Sequence, residues 1–405
     1  MLYGLRDAGF EAYVVGGGVR DLLAGLKPKD FDIATNALPE EIRRVFRSCR
    51  LVGRRFLIAH VRFGDEIIEV TTFRGPITDS HERDETGRIL SDNAYGTLEQ
   101  DAFRRDFTVN ALYYDIRDYS IVDFAGGLDD LKSGVLKLIG DPELRYREDP
   151  VRMLRAVRIG NKLHLKLDAS AMEPIKRLAP LLREIPPARL FDEVLKLLFN
   201  HEAVENFRAL HWFGLWAELF PDVDARLVEE PETCRRFVES ALANTEQRLK
   251  QQATVSPAFL FAAILWPVVR ARAEALQKNQ GHSPALALTQ ASEETMARQT
   301  LRVAIPKRFS IPAKEIWTLQ SRFDQRQGGR PKRLLAHPRF RAAYDFLSLR
   351  GQAGEAAGEL VQWWTAAQVG QAPPVAQEDQ APQGPRRRRR RRRGGGGGGK
   401  SNAPP

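Results

Sequence analysis

Apolar and polar positions follow two rhythms along the chain. Up to about residue 135 short runs of β-forming residues alternate with short helical patterns. "AYVVGG" (residues 12–17) predicts a strand, and "VRDLLAGL" after it a short helix stopped by Gly25 and Pro28. "DFDIAT" (residues 30–35) predicts a second strand. "PEEIRRVF" (residues 39–46) has Pro at a first-turn position with acids behind it, as helix starts do. "LIAHVRF" and "EIIEVTTF" predict two further strands in a hairpin through Gly64 and Asp65. Residues 75–96 are polar without an apolar period and predict a mobile loop. From Asp149 onward the spacing is helical, as in "DPVRMLRAVRIGNKL" and "PPARLFDEVLKLLF", and stays so to about Ala367. From Gly370 the chain is Pro, Gln, Gly and Arg, too poor in apolar residues to fold, so residues 369–405 predict a disordered tail. The fold class is α+β: a mixed βα unit over residues 1–135, then an all-helical remainder.

Length and composition narrow this further. A chain of 405 residues exceeds one ordinary core and predicts two or three domains. With 43% hydrophobic and 28% charged residues it reads as soluble and globular. The longest apolar run, Ala258 to Val269, is too short to span a bilayer and predicts a buried helix. The N-terminus lacks a basic-then-apolar signal pattern. Two isolated cysteines, Cys49 and Cys234, make neither a zinc site nor a disulfide framework and point to a reducing, cytoplasmic setting. The formal net charge is +10, but nine positive charges, Arg386–Arg393 and Lys400, lie in the tail with no acid among them. The rest is close to neutral, so a polyanion site there must be a local patch.

The candidate chemistry begins with Asp30 and Asp32. At i and i+2 of a strand they share a face, as two carboxylates must to hold one or two Mg²⁺ ions. An Asp-x-Asp alone is more often a solvated strand end. Here it follows a glycine run, Gly16 to Gly18, set between a strand and a helix start, where backbone N–H groups suit phosphate and Arg20 can add a charge-assisted contact. No Gly-Lys-Ser/Thr follows, so this is not a Walker loop. A third carboxylate has two candidates. Glu69 lies mid-strand among apolar residues, where burial would require a cation or a metal. Asp106 in "RRDFTVNAL" lies beside Arg104, Arg105 and Asn110, and can equally be a helix cap with Phe107 and Leu112 buried. "REDPVRMLRAVR" offers Asp149 and Pro150 as a helix start and Glu148 to Arg152 as an i,i+4 pair, while Arg152, Arg155 and Arg158 recur every three residues and could reach a triphosphate or a base edge.

In this order and spacing, "GGGVRD", "KDFDIAT", "RRDFTVNAL" and "EDPVRMLRAVR" resemble the signature of class II template-independent nucleotidyltransferases, the polymerase β-like family of bacterial poly(A) polymerases and tRNA CCA-adding enzymes. The resemblance covers roughly residues 10–220. "LVGRRFLIAHV" (residues 51–61), "IPPARLFDEVLKLL" and the basic tail resemble the poly(A) polymerase branch, of which an N-terminal extension longer than the present one is also expected. The resemblance implies a nucleotidyltransferase head (1–135), a helical neck carrying the nucleotide-binding motif (136–200) and a helical, RNA-binding body (201–368) ahead of the tail. It implies catalysis by Asp30, Asp32 and Glu69 or Asp106, with two Mg²⁺ ions on Asp30 and Asp32 and Mn²⁺ as an alternative. Nucleotide contacts would come from Gly17, Gly18, Arg20, Asp21, Arg104, Asn110, Asp149, Arg152, Arg155 and Arg158, with Asp149 and Arg152 on the base edge. The expected reaction is polyadenylation of RNA 3′ ends from ATP. CCA addition to tRNA, or RNA binding without catalysis, are the alternatives, and a monomer is assumed.

Overall fold

A computed structural model describes residues 1–53, 56–76, 94–356 and 358–369. Its N-terminal part is built on seven strands: β1 (Ala12–Val15), β2 (Asp32–Thr35), β3 (Cys49–Val52), β4 (Ile58–Phe63), β5 (Glu66–Thr72), β6 (Leu112–Asp115) and β7 (Ile121–Asp123). They form one sheet in the order β3-β4-β5-β2-β1-β6-β7. β2 and β5 run parallel; every other neighbouring pair is antiparallel. The crossover between β2 and β5 carries the helix Pro39–Val45 and the β3–β4 ladder.

Alternation along the strands gives each face its own core. Ile33, Ala59, Val61 and Val70 pack with Leu5 and Ile42 on one side. Tyr13, Val15, Ala34 and Tyr113 pack with Phe73 and Ala102 on the other. Asp32 belongs to the second face, opposite Glu69 on β5, which is in turn opposite His60 on β4.

The expected strand over residues 30–35 is shorter than the pattern implied. The β1–β2 ladder ends at the pair Val15–Asp32, because Gly16 adopts φ 75° and turns the chain away. Phe31 therefore has no partner on β1. Instead Asp30 and Phe31 pack on Gly18: a Cβ there would stand 2.9 Å from the Phe31 ring and 3.1 Å from the Asp30 carbonyl. The helix after the turn starts at Gly17, before the expected Val19, and ends at Leu23. The hairpin through Gly64 and Asp65 forms, pairing Phe63 with Glu66. Strands β3, β6 and β7 and the helices Leu2–Asp7 and Gly127–Ser133 were not anticipated; most are too short for a period to show. The loop expected over 75–96 is closed at its base by an Arg74–Tyr95 bridge and by backbone bonds from Gly75 to Ala94 and from Gly96 to Phe73. Its residues 77–93, Arg54 and Arg55, and the tail from residue 370 lie outside the described residues.

Beyond β7 the chain is helical except for one short parallel pair, Val135–Leu136 with Lys166–Leu167. The helix Val151–Leu163 packs on Pro187–Leu198 and Ala203–Trp212. One continuous apolar core runs from Phe107 and Val109 to Ala353, so the segment between the sheet and the helices is built into both. The apolar run 258–269 lies in the helix Pro257–Gln280 and is almost wholly buried. Among the described residues no helix is long and apolar enough to cross a membrane.

Candidate active site

At the end of the β1–β2 ladder three carboxylates come together. Asp32 opens β2, Glu69 stands in register beside it, and Asp30 reaches the same place from the preceding loop rather than from the strand. Burial, and then the charges of Glu69 and Asp30, push the Asp32 carboxyl up to about 6, against the pull of Arg105 and Arg155. Glu69 is not the buried acid its flanking residues suggested. Its side chain is 48% exposed, with one oxygen 3.4 Å from Nε2 of His60.

Asp106 is held by three donors. Oδ1 accepts from the Phe107 amide (2.9 Å) and from Nδ2 of Asn110 (2.8 Å), and Oδ2 accepts from Nε of Arg155 (2.6 Å). Burial favours protonation, but Arg155, Asn110 and the Phe107 amide outweigh it and hold the carboxyl well below its usual range. It caps no α-helix: the chain makes a single 3₁₀ turn, Thr108–Asn110, and enters β6. Phe107 and Leu112 are buried, as expected.

The network continues to the glycine turn. Asn110 accepts on Oδ1 from Arg20, and Arg20 donates from Nε (3.0 Å) and Nη2 (2.6 Å) to Oδ1 of Asp21. Lys162 closes the series on Oδ2 of Asp21 at 2.5 Å. Arg20 and Asp21, read from the sequence as nucleotide contacts, are 5% and 4% exposed and spend most of their hydrogen-bonding capacity inside the protein. Two guanidiniums lie against the turn: that of Arg20, with Nη2 3.6 Å from where a Gly17 Cβ would stand, and that of Arg105, with Nη1 3.3 Å from where a Gly16 Cβ would stand. Asp101, 2% exposed, fixes Arg105 with bonds from Nε and Nη2, and Tyr113 bonds to both. Asp101 precedes Arg105 by four residues, so helical spacing could have revealed this support; nothing local could have revealed Lys162.

The arginines of the neck helix are all engaged. Arg152 donates to the Arg145 carbonyl (2.6 Å) and to Glu148 (3.0 Å), the expected i,i+4 pair. Arg155 holds Asp106. Arg158 donates to Glu193 (2.6 Å), tying this helix to Pro187–Leu198. Asp149 accepts from Arg189 (2.6 Å), and the helix starts one residue past Pro150. Arg104 is 7% exposed, beneath Arg145, whose Nη2 donates to the Arg104 carbonyl (2.9 Å). Gly17 and Gly18 form the first turn of the short helix. Among the described residues no three His, Cys, Asp or Glu side chains close on a single point. Asp30 and Asp32, whose charges act on one another, are the pair that could hold a divalent cation.

Three family models match the chain: "Poly A polymerase head domain" over residues 12–137, "Probable RNA and SrmB-binding site of polymerase A" over 164–227 and "Polymerase A arginine-rich C-terminus" over 280–394. Poly(A) polymerase I of Escherichia coli O157:H7 is 48% identical over 383 residues, covering 92% of this chain and 82% of the relative. That of Haemophilus influenzae is 47% identical over 368 residues, covering 89% and 81%. The CCA-adding enzyme of Lactobacillus helveticus is 41% identical over 208 residues, 51% of each chain. Among solved structures, a tRNA-processing enzyme in its apo form superposes with TM-score 0.57 at 22% identity over 90% of this chain and 94% of that one. The Bacillus stearothermophilus CCA-adding enzyme in complex with CTP superposes with TM-score 0.52 at 28% identity over 90% of each.

Two stability measurements test this geometry. With its carboxyl raised to about 6 from an unfolded value near 3.8, metal-free Asp32 contributes stability at low pH that is lost as pH rises through 6. Asp32→Asn is therefore expected to raise the melting temperature in EDTA above pH 6 and to leave it unchanged below about pH 4; an equal effect at both pH values would contradict the crowding of Asp32. Asp106 has the opposite sign, stabilising above its unfolded value and losing that as pH falls. Asp106→Ala is expected to cost about 3–5 kcal/mol in denaturant unfolding by stranding Arg155. A cost below about 1 kcal/mol would show the pair to be dispensable.

Proposed function

The chain belongs to the poly(A) polymerase family, and from that premise we propose how its residues divide the work of adding AMP units from ATP to RNA 3′ ends. It is a polynucleotide adenylyltransferase, a reading carried by the 47–48% identity to poly(A) polymerases I over about nine-tenths of the chain. CCA-adding enzymes match only about half of it in sequence.

In the reaction the RNA 3′-oxygen attacks the α-phosphorus of ATP in line, a new phosphodiester forms, the α–β phosphoanhydride breaks and pyrophosphate leaves. Asp30 and Asp32 would hold the divalent cation, Mg²⁺ or Mn²⁺, which when bound lowers the pKa of the attacking hydroxyl and neutralises the leaving group. Glu69 is better placed than Asp106 as the third acid, because its carboxylate lies beside Asp32 and is open to solvent. Arg105 meets the triphosphate at the glycine turn, its guanidinium oriented in advance by Asp101 and Tyr113. Arg20, Asp21, Asn110 and Asp106 position the turn against the neck helix. Asp149 and Arg152 read the base edge, for which Arg152 must exchange its Glu148 contact for the ligand. The two cysteines are free, one of them buried, which is in keeping with a cytoplasmic enzyme.

Primer extension on a generic RNA, with each nucleoside triphosphate in turn, tests the assignment. Long products from ATP alone are expected; efficient incorporation of CTP would favour CCA addition. In the same assay Asp32→Ala should lower turnover by roughly 10²- to 10³-fold with the fold intact, and retention of more than about a tenth of the rate would sink the role of the Asp pair. Arg152→Ala should relax the preference for ATP over the other nucleotides by roughly 1–3 kcal/mol while the metal dependence stays as it was. An unchanged ranking of the four nucleotides would move base recognition elsewhere.

A further inference from the structure

A single row of paired residues crosses all seven strands of the sheet. The ladders pair Val122 with Tyr113, Tyr113 with Val15, and Val15 with Asp32. They continue from Asp32 to Glu69, from Glu69 to His60 and from His60 to Arg50 on the edge strand. Residues opposite one another in a ladder point to the same face, so each strand sets one side chain beside the next.

The row changes character at Asp32. On one side Val15 and Tyr113 are buried, and the Tyr113 hydroxyl donates to Asp101 and accepts from Arg105. On the other side stand an acid, an imidazole and a guanidinium. Glu69 and Arg50 are exposed and His60 is half-buried. Nε2 of His60 is 3.4 Å from the Glu69 carboxylate, longer than a well-made hydrogen bond, so it is only loosely engaged. The Arg50 guanidinium makes no ion pair or hydrogen bond among the described residues. None of these three side chains belongs to the network that joins Asp106, Asn110, Arg20 and Asp21.

The geometry of the reaction says what meets this half of the row. In-line displacement puts the attacking oxygen opposite the leaving pyrophosphate. The glycine turn and Arg105, assigned above to the triphosphate, follow β1 and precede β6. Pyrophosphate therefore departs on the β1–β6 side of Asp32, and the attacking hydroxyl enters from the side of β5, β4 and β3. The first group it meets there is an acceptor, Glu69, and the next two are donors. An RNA 3′ end presents the complement in the same order: a hydroxyl to be accepted, then, one sugar back, an anionic phosphodiester. Neighbouring strands are ~4.8 Å apart, which sets the His60 backbone about 10 Å from that of Asp32. That separation suits the two ends of one nucleotide.

We propose that His60 and Arg50 hold the last phosphodiester of the RNA primer, and that Glu69 receives the reacting 3′-hydroxyl between them and Asp32. The edge half of the row thus sets the position of the primer end, a contact to backbone that carries no base preference. The inference rests on the RNA-extending reading above and names the residues that present the nucleophile.

A change in the primer, combined with changes in the protein, tests it on the full chain. Replacing the last phosphodiester of a short oligoadenylate by an uncharged methylphosphonate removes the group that His60 and Arg50 hold. This is expected to raise the KM for primer about tenfold, with the KM for ATP unchanged. Arg50→Ala, an exposed change on the edge strand that leaves the core untouched, and His60→Leu should each raise the KM for the natural primer. Each should lose little more on the methylphosphonate, because both changes remove one contact. His60→Gln, which keeps a donor, should recover part of the loss. A methylphosphonate further back along the primer should add its cost independently of the variants. Equal KM values for the two primers in the wild-type chain overturn the proposal. So does simple additivity of the primer and protein changes at the last linkage, which leaves His60 and Arg50 as support for the sheet. A rise in the KM for ATP in place of that for primer overturns it in favour of a triphosphate contact. The same cycle read as primer binding, by fluorescence anisotropy without ATP, keeps the two readings apart. A chain that binds primer and extends nothing counts against the polymerase reading, while non-additivity in binding still decides the contact.

Discussion

Asp106 cannot be buried alone. A carboxylate withdrawn from water needs its charge answered nearby, and here the answer comes from Arg155, on a helix that the sheet does not contain. That requirement makes the head and the neck one object. From Asp106 the alternation of charge and amide runs through Asn110 and Arg20 to Asp21 and returns to the neck helix at Lys162. The neck helix is thus held at two points about two turns apart, Arg155 and Lys162, and between them lies the turn that carries the three glycines. Apolar packing reinforces the clamp, since Phe107 and Val109 beside Asp106 belong to the core of the helices.

The clamp also sets the field at the carboxylates. Asp32 would be harder still to ionise without Arg105 and Arg155, whose charges reach it although neither bonds to it. Arg155 therefore serves two acids at once: one it satisfies completely, one it only relieves. Burial and the charges of Glu69 and Asp30 still outweigh the two arginines, so the Asp32 carboxyl stays above its usual range.

The motifs of the site were legible because they are local. The glycine run, the paired aspartates and the arginine-rich helix each declare themselves within about one element, and their order along the chain was enough to point to the family. What the sequence concealed was partnership. Arg20 and Asp21 read as ligand contacts, and their side chains also bond to residues 90 and 141 positions away. Glu69 reads as buried from its apolar neighbours, yet its side chain is about half exposed. Asp30 fell outside its strand because Gly16 ends the adjacent ladder, a constraint written in a different segment. Strands such as β7, with three residues, are below the length at which any period can be read.

The bridged stem between Arg74 and Tyr95 has a practical corollary. Its backbone bonds fix the two chain ends beside Phe73 and Asp101. Lengthening a loop whose ends are already held together costs only about 0.6 kcal/mol per doubling. The stem is accordingly a socket: a place where foreign sequence, a fluorescent reporter or an affinity handle could be spliced into the middle of the catalytic unit with both of its termini already anchored.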